Sequence, residues 1–362
     1  MQFNYLSDLK DIKRFINFNR VVYQGIPNYR DSMSEIVKMF LFKKTSYAQH
    51  GDVLPFIIEE KGEIQLRAAF ISDQKLPGVL MVSFFEALPG VQAAVDLMLS
   101  QAESLASAKG LSRIVIGLDA HLNYGVGFLA SHFEQTPCFG FGYTPEYYLD
   151  YFKECREYGF TSILVEISKF NLERETPTLK RISRKGFTFR QADFKEIERE
   201  IEIFTELNNA CYQEHLWWSE RTFDEDKELL FPFRWFIRPE NLIIAEKEGR
   251  PVGLMLWYPD YNRLVPAGKG LGLGALLKNR WGGAKDIDRV KLANLVVLPE
   301  FRASGVVLGL LAEFYRCVKD RYKFCEAGWI EGNNYKSRAF GLRWQDLGCS
   351  EYKQYKAFEV VL

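Results

Sequence analysis

Arg302 and Gly305 lie in a short turn between a predicted strand and a predicted helix, an arrangement that suits the binding of a phosphate. The apolar run before the turn, residues 291–298, is typical of a strand with both faces buried. After the turn, apolar side chains recur at helical spacing between Val306 and Val318. A helix that begins at such a turn directs backbone N–H groups and the positive end of its dipole towards one point, where an anion is stabilised.

Residues 299–307 resemble the pyrophosphate loop of GNAT acyltransferases, whose pattern is Arg or Gln, two residues, Gly, one residue, then Gly or Ala. Arg302 and Gly305 match this pattern, whereas Val307 stands where a small residue belongs. A branched side chain there would keep the pyrophosphate away from the backbone. On the residues alone, an ordinary strand and helix joined by a turn is the alternative interpretation, because a short motif is a hypothesis until its context is known.

The resemblance implies that the donor is acetyl-CoA or another acyl-CoA, bound at this turn and at a second segment. That segment, residues 329–333, is similar to the strand end where GNAT enzymes place an Asn beside the pantetheine or the thioester; Asn333 is the better match and Asn334 the neighbour that could replace it. The alternative is an Asn that caps the next helix. The cofactor-binding residues so implied are Val297, Arg302, Ala303, Ser304, Gly305, Val306, Val307, Asn333 and Asn334.

Glu331 and His215 are the predicted catalytic residues. An amine with a pKa of about 10 is mostly protonated at neutral pH, and a positioned base typically raises the rate about a hundred- to ten-thousandfold. The strand at residues 291–298 contains no carboxylate; Glu331 lies at the neighbouring strand end, and His215 lies between two predicted helices where GNAT proteins admit substrate. Glu331 is the preferred base. Water alone is an alternative, and either side chain could have a purely structural role.

The predicted elements run twice through a similar order along the chain. Two helices, a meander of three strands, a helix, a strand, a helix and a strand reach residue 167, and a second series starts at residue 187. A repeated element order indicates tandem domains. The resemblance implies an α/β (α+β) fold of two tandem GNAT-like domains, each a mixed, mostly antiparallel sheet flanked by helices. The expected boundaries are 1–170 for a degenerate N-terminal domain, 171–186 for a linker, and 187–362 for the C-terminal domain that carries the acyl-CoA turn.

The first half lacks a convincing phosphate-binding turn. Its equivalent segment, residues 86–91, has neither Arg nor Gln and no pair of small residues, so we expect this half to support the second or to contribute to the substrate cleft. The tyrosine-rich residues 139–151 could line that cleft or simply pack. Residues 262–289 form an expected insertion over the cleft. The glycines at 268–275 within it are a weak dinucleotide fingerprint, without the preceding buried strand that such a site needs.

Composition argues against several other functions. Lys plus Arg and Asp plus Glu both number 47, and a net charge of zero disfavours nucleic-acid binding by bulk electrostatics and a tRNA-dependent aminoacyl transferase of the same doubled fold. The six cysteines have no metal-ligand spacing. The N-terminus has no apolar h-region of a signal peptide, and no apolar run reaches the roughly 18 residues of a membrane span. We therefore expect a cytoplasmic protein with no metal, nucleic-acid or membrane partner.

As the resemblance implies, the predicted function is acyl-CoA-dependent N-acyl transfer, most simply of an acetyl group from acetyl-CoA to the amine of a small molecule or peptide. A strand N–H would polarise the thioester carbonyl while the amine attacks directly, so that orientation and polarisation supply most of the catalysis. The alternative is a GNAT-fold module without turnover that binds CoA, an acyl ligand or a protein partner.

Overall fold

A computed structural model describes residues 1–6, 8–280 and 283–362. Within them, thirteen strands form one continuous mixed sheet flanked by helices. The strands are β1 (Gln2–Tyr5), β2 (Gly51–Glu60), β3 (Glu63–Asp73), β4 (Val79–Ala87), β5 (Arg113–Ile116), β6 (Phe128–Leu129), β7 (Arg156–Glu166), β8 (Phe187–Gln191), β9 (Leu242–Lys247), β10 (Arg250–Pro259), β11 (Arg289–Val297), β12 (Phe324–Glu331) and β13 (Cys349–Val361). The helices are α1 (Leu9–Asn17), α2 (Asn19–Val22), α3 (Ser34–Leu41), α4 (Gln92–Ala108), α5 (Tyr148–Tyr151), α6 (Thr176–Arg184), α7 (Ile197–Tyr212), α8 (Phe223–Phe233), α9 (Leu273–Arg280), α10 (Val306–Val318) and α11 (Tyr335–Gly341).

Both halves of the sheet are built in the same way. The strands β2, β3 and β4 form an antiparallel meander, and β4 then pairs in parallel with β5. In the second half β9, β10 and β11 form the meander, and β11 pairs in parallel with β12. A long helix connects each parallel pair, α4 in the first half and α10 in the second, because parallel neighbours need a crossover connection. This is the doubled element order that the sequence predicts.

The final strands of the two halves are exchanged at the centre of the sheet. The strand order is β1-β2-β3-β4-β5-β13-β7-β12-β11-β10-β9-β8, with β6 beside β13. The last strand of the chain, β13, therefore lies between β5 and β7, and β7 pairs with β12. Phe358 of β13 packs in the core of the first half, whereas Ile163 of β7 packs in the core of the second. Each core thus contains residues of a strand that belongs to the other predicted domain. The domain boundaries themselves stay a prediction.

Three segments differ from the elements expected from the sequence. The last helix of the first predicted series, which the sequence places at residues 145–158, is wrong: this segment contains only the single turn α5, and β7 begins at Arg156. Gly159 disfavours a helix there, and the aromatic Tyr158 and Phe160 alternate with it as in a strand. The predicted linker contains the helix α6. The short strand β1, which pairs with β2, was not expected because four residues are too few to establish a period.

The insertion at residues 262–289 lies against the first half of the chain. The N–H of Gly268 donates to the Tyr29 carbonyl, and the N–H of Asp31 donates to the Lys269 carbonyl, each at 3.0 Å. The described residues of the insertion do not line the large cavity of the protein, so the structure does not support the expected cover over the cleft. A single 3-10 turn, Tyr261–Leu264, precedes the glycines, and the strand required by a dinucleotide site is absent from the described residues there.

A buried ion cluster joins β11 to β12 where the two strands are paired. The Arg289 guanidinium donates to Asp260 at 2.6 and 2.9 Å and lies 3.4 Å from Glu326. It also donates to the Thr136 carbonyl at 3.1 Å, which ties the first half to the second. The three charged side chains are almost fully buried, and removal of Arg289 would leave two carboxylates without this cation in a medium of low polarity. The cluster therefore fixes the base of the region where the strands later separate.

Candidate active site

The parallel strands β11 and β12 separate halfway along their length. Their register ends at Leu292 opposite Ala327. At the same level a β-bulge leaves Ala293 out of register with β10. A bulge bends its strand, so the two strands diverge and residues 292–295 are partly exposed although they lie at the centre of the sheet. The gap makes the backbone of a central strand accessible to a ligand.

The gap opens into a cavity of about 1210 Å³ that both halves of the chain enclose. Ordinary ligand pockets measure about 300–1,000 Å³. Aromatic and aliphatic side chains form much of the lining, among them Phe84, Phe128, Phe139, Phe233, Phe314 and Trp329. The site is therefore large and mainly apolar, with polar side chains both at the gap and in the first half, where Arg67, Glu86 and Asp119 line it.

The turn before α10 offers one exposed cation at the mouth of the cavity. Arg302 is exposed, and its guanidinium donates to the carbonyls of Val297 at 3.3 Å and Cys211 at 3.1 Å. The N–H of Val306 donates to the Ser304 hydroxyl at 3.3 Å, so this nitrogen already has a partner. An anion at the turn would consequently be held mainly by Arg302 and by the other N–H groups of the first helical turn.

Gly305 gives the turn its sharp bend and faces the interior. Its φ is +92°, a left-handed conformation that glycine adopts most easily. A Cβ at this position would lie 3.0 Å from Thr178 and 3.3 Å from Ile182, both in α6. A substitution at Gly305 would therefore strain the fold as well as disturb a ligand. Val307, which departs from the resemblance, lines the cavity with its branched side chain.

Seven of the eleven site residues predicted from the sequence line the cavity. They are Val297, Arg302, Val307, Asn333, Asn334, Glu331 and His215. The other four belong to the turn but do not line the cavity: Ala303, Ser304, Gly305 and Val306. Ala303 is exposed on the outer surface, and Val306 is fully buried. Of the predicted phosphate-binding turn, only Arg302 and Val307 thus line the cavity, whereas Glu331, Asn333 and Asn334 all do.

The two asparagines after β12 differ in their surroundings. Asn334 caps α11, because its side chain accepts the N–H of Ser337 at 3.1 Å. This is the alternative that the sequence left open for the pair. Asn333 is exposed, and its side chain has no hydrogen-bond partner among the described residues. The amide of Asn333 is therefore free to bind a ligand.

The predicted bases Glu331 and His215 both face the cavity. The carboxylate of Glu331 makes no ion pair with any residue that the structure describes. The Nδ1 atom of His215 lies 3.3 Å from the Leu216 carbonyl, and its ring packs edge-on against Tyr212 with ring centres 5.5 Å apart. Neither side chain is engaged by an opposite charge, so both remain available to a substrate.

Asn294 presents a hydrogen-bond acceptor at the gap. Its side-chain nitrogen donates to Asn208 of α7 at 2.6 Å, and Asn208 in turn donates to the Phe204 carbonyl at 2.7 Å. The buried Oδ1 of Asn294 has no partner within the described part of the chain. A buried acceptor without a partner costs about 1–3 kcal/mol. A hydroxyl or amine of a ligand would remove that cost.

Lys291 is a buried cation at the base of the gap that the sequence prediction did not place in the site. Its side chain is almost fully buried, and its Nζ donates to the Gly140 carbonyl at 2.9 Å. The same atom lies 3.6 Å from the ring centre of Phe141 and 4.9 Å from that of Trp329. Burial lowers the pKa of Lys291 to about 8, so a fraction of the side chain is neutral near physiological pH and can accept a proton. The signal in the sequence that could have placed Lys291 in the site is that it is a lysine in an otherwise apolar predicted strand.

In the first half, tyrosines at the start of α5 bond to the end of β4, while Phe84 and Gly117, at the corresponding gap, line the cavity. The strands β4 and β5 also pair over a short stretch and then diverge. The Tyr148 hydroxyl accepts the N–H of Ala87 at 2.9 Å and donates to Glu86 at 2.7 Å, while the Tyr147 hydroxyl donates to the Ala87 carbonyl at 2.8 Å. The backbone N–H and carbonyl of Ala87 thus already have partners. That the first half is degenerate stays a prediction.

Comparisons with known proteins, by sequence and by structure, identify the fold. No family model matches the sequence. In sequence, the chain is 21% identical to a bacterial ceramide synthase of Caulobacter vibrioides, over 97% of this chain and 95% of that protein. A tandem GNAT protein from the clavulanic acid biosynthesis pathway superposes with a TM-score of 0.54 at 10% identity, over 99% of this chain and 98% of that one. The chain has the GNAT fold in two tandem copies.

A second solved structure agrees with this GNAT fold. The GCN5-related glucosamine N-acetyltransferase region of a fungal multi-domain GH3 β-N-acetylglucosaminidase gives a TM-score of 0.54 at 10% identity; the match covers 99% of this chain and 38% of that longer chain. The predicted fold class is therefore confirmed. Within the described residues, no cluster of His, Cys, Asp and Glu could hold a metal ion. None of the described helices combines the length and the apolar character needed to cross a membrane.

Proposed function

We propose that the protein is an acyl-CoA-dependent N-acyltransferase that joins a long acyl chain to the amine of an amphiphilic amino alcohol. The observation that carries this proposal is the gap between β11 and β12, which begins beside the turn at Arg302 and opens into the apolar cavity. The acetyl group expected from the sequence would fill a small part of about 1210 Å³. Protein interiors are close-packed, with few voids larger than a water molecule, so a cavity of this size favours a large apolar ligand.

The residues at the gap fit an acyl-CoA donor in three respects. Arg302 offers a cation to the phosphates at the mouth, and α10 directs the positive end of its dipole there. Asn333 offers a free amide beside the path of the pantetheine. The strand β11 exposes its backbone around Ala293, where the thioester carbonyl would lie. When bound, the donor supplies an activated acyl group and a thiol that leaves.

The proposed acceptor is narrower than the small-molecule or peptide amine expected from the sequence. The relative found by sequence is a ceramide synthase, and a ceramide is the amide of a fatty acid with a long-chain amino alcohol. Asn294 supports such an acceptor, because its unpartnered Oδ1 at the gap could accept a hydrogen bond from a hydroxyl or an amine. The aromatic lining of the cavity would accommodate the hydrocarbon part.

The chemistry is direct transfer between the two substrates. The amine nitrogen bonds to the acyl carbon, the carbon–sulfur bond breaks, and a base takes the proton that the nitrogen loses. The backbone of β11 near Ala293 would stabilise the negative charge that develops on the acyl oxygen. Lys291 joins Glu331 and His215 as a candidate base. Its neutral form accepts a proton, and the cation so formed remains above the rings of Phe141 and Trp329.

The test is to incubate the protein with dodecanoyl-CoA and a long-chain amino alcohol and to identify the products by mass spectrometry. The proposal predicts an N-dodecanoyl amide together with an equal amount of free CoA. A matched diol that lacks the amine should remain unmodified. Free CoA and fatty acid without any amide would identify a thioesterase and would reject N-acyl transfer.

A binding module without turnover is the second candidate. Val307 favours it, because a branched side chain lines the mouth where the pyrophosphate of GNAT enzymes approaches the backbone. Calorimetric titration with dodecanoyl-CoA separates the two candidates. Binding in the absence of any product supports the module, whereas binding followed by amide formation supports the enzyme.

A further inference from the structure

We propose that the donor's acyl chain lies beneath α10 and α11, in a channel that ends at Cys349 and accepts chains of about twelve carbons. This inference rests on the proposed acyl transfer and adds to it the position and the length of the acyl chain. It concerns the part of the cavity that lies over β12, β7 and β13.

The floor of this channel consists of small and aliphatic side chains from three adjacent strands. Cys325 of β12, Val165 of β7 and Cys349 of β13 form one row, because Val165 is the register partner of both cysteines. Ala327 and Ile163 form the neighbouring row, two residues away and therefore on the same face. All five residues line the cavity. The floor is thus continuous and uncharged.

The roof is formed by aromatic side chains. Tyr315, Phe170, Trp344 and Phe340 follow one another with ring centres between 5.3 and 5.5 Å apart, and all four line the cavity. The Tyr315 hydroxyl donates to the Phe170 carbonyl at 2.7 Å, so its polar end is satisfied by the protein. At Gly341 of α11 the roof approaches the floor so closely that a Cβ would overlap the Ile163 side chain. An aliphatic floor and an aromatic roof suit a hydrocarbon chain.

The channel lies on the side of the sheet from which the donor would enter. Neighbouring residues of a strand point to opposite faces. In β10, Trp257 packs on Phe314 of α10 with ring centres 5.5 Å apart, whereas Tyr258 packs on Phe233 of α8 at 5.2 Å. The helix α10, which carries the phosphate-binding turn, therefore covers the face opposite to α8. Asn294 bonds to α7, which packs against α8, so the acceptor would approach from that opposite face.

The number of strands that the channel crosses sets the length of the acyl chain that it can hold. Adjacent strands lie about 4.8 Å apart, and the channel runs from the gap between β11 and β12 across β7 to β13. That path is about 12 Å long, or two and a half strand spacings. An extended hydrocarbon advances about 1.25 Å per methylene, from bonds of about 1.5 Å at about 111°. The channel therefore holds about ten methylenes beyond the thioester carbonyl, which corresponds to chains of about twelve carbons.

Cys349 closes the far end and is the position at which the length can be changed. It is buried, and beyond it on β13 the carboxylate of Glu351 pairs with Arg338 of α11, which places charges at the outer edge. Cys349→Phe would fill the last strand spacing and shorten the channel by about 4.8 Å, or roughly four carbons. Cys317→Phe is the matched control, because Cys317 lies on α10 but does not line the cavity.

The test is the chain-length profile of wild type and of both variants. Two quantities are measured for acyl-CoAs of two to eighteen carbons: kcat/KM with a long-chain amino alcohol, and the Kd from calorimetry without the acceptor. We expect both profiles to peak near twelve carbons in wild type and in Cys317→Phe. We expect the peak to move by about four carbons to shorter chains in Cys349→Phe.

The outcomes separate the channel from the proposed reaction. Amide formation with an unshifted peak in folded Cys349→Phe overturns the channel and leaves acyl transfer intact. A shifted Kd profile without any amide supports the channel and rejects the transfer. If Cys349→Phe does not fold, the wild-type profile decides: a fall in affinity of tenfold or more between twelve and eighteen carbons supports the channel, and equal affinities overturn it.

Discussion

Replacement of Lys291 with methionine should make the protein more stable at neutral pH and less active. The side chain is 3% exposed, and burial lowers its pKa from the ordinary 10.5 to about 8. The carboxylates of Glu326 and Asp260 oppose this change but do not prevent it. At about 1.36 kcal/mol for each pH unit, the difference between the two pKa values corresponds to about 3 kcal/mol. This is the cost of keeping the protonated lysine buried.

The pH dependence follows from the sign of this change. Below pH 8 the lysine is protonated in the folded and in the unfolded chain, and the whole cost is present. Between pH 8 and pH 10.5 the folded protein binds fewer protons than the unfolded chain, so the free energy of unfolding of wild type rises with pH. Methionine does not titrate. The gain in free energy of unfolding of Lys291→Met over wild type should therefore be about 3 kcal/mol larger at neutral pH than near pH 10.5.

Urea denaturation at both pH values measures this difference, and amide formation measures the activity. Lys353→Met is the matched control: Lys353 is also buried with its pKa lowered to about 8 by burial, but it does not line the cavity. Both variants should show the stability effect. Only Lys291→Met should lose activity, by about a hundredfold or more if the lysine is the base. Full activity in Lys291→Met, or a stability difference that does not change with pH, would refute the reasoning.

Three further predictions concern the mouth, the base and the first half. Arg302→Ala should raise the KM for the acyl-CoA about five- to tenfold because one charged contact to phosphate is lost. Arg316→Ala, at an exposed position of α10, should leave this KM unchanged, and equal KM values in the two variants would place the phosphates elsewhere. Glu331→Gln should lower kcat more at low pH than near pH 9, because free amine is more plentiful near pH 9. If the variant and wild type have equal kcat values across this range, Glu331 is structural. Tyr148→Phe should lower the free energy of unfolding by about 1–3 kcal/mol, since it removes a partner of buried Ala87, while the KM for the donor should not change; a raised KM would show that the first half binds the donor.

The order of elements could be predicted from the sequence, but the partners of the central strands could not. Hairpin signals such as Lys61-Gly62 and the glycine after α4 mark boundaries locally. The position of β13 between β5 and β7 has no local signal, because the alternation of its side chains shows only that it is a strand. Pairing across some 200 residues depends on which cores the two faces of β13 complete. The exchange of strands was therefore visible only in the structure.

The candidate site was predictable where it depends on neighbouring residues and not where it depends on contacts between distant parts of the chain. Arg302 and Gly305 belong to a local strand–turn–helix pattern, and the pattern placed the turn correctly next to α10. The role of Lys291 depends on Gly140 and Phe141, which lie about 150 residues earlier in the chain and bury it. A lysine at the start of a predicted strand is ordinarily solvated. The size of the cavity likewise depends on packing between both halves, which no periodicity reports.

Competition between donors tests the central claim most directly. The protein is given equal concentrations of acetyl-CoA and dodecanoyl-CoA with one long-chain amino alcohol, and the ratio of the two amides gives the ratio of kcat/KM values. The gap beside Arg302 and the apolar cavity behind it predict mainly the N-dodecanoyl amide, by at least tenfold. A product that is mainly the N-acetyl amide, or no amide although both substrates bind, would contradict the account.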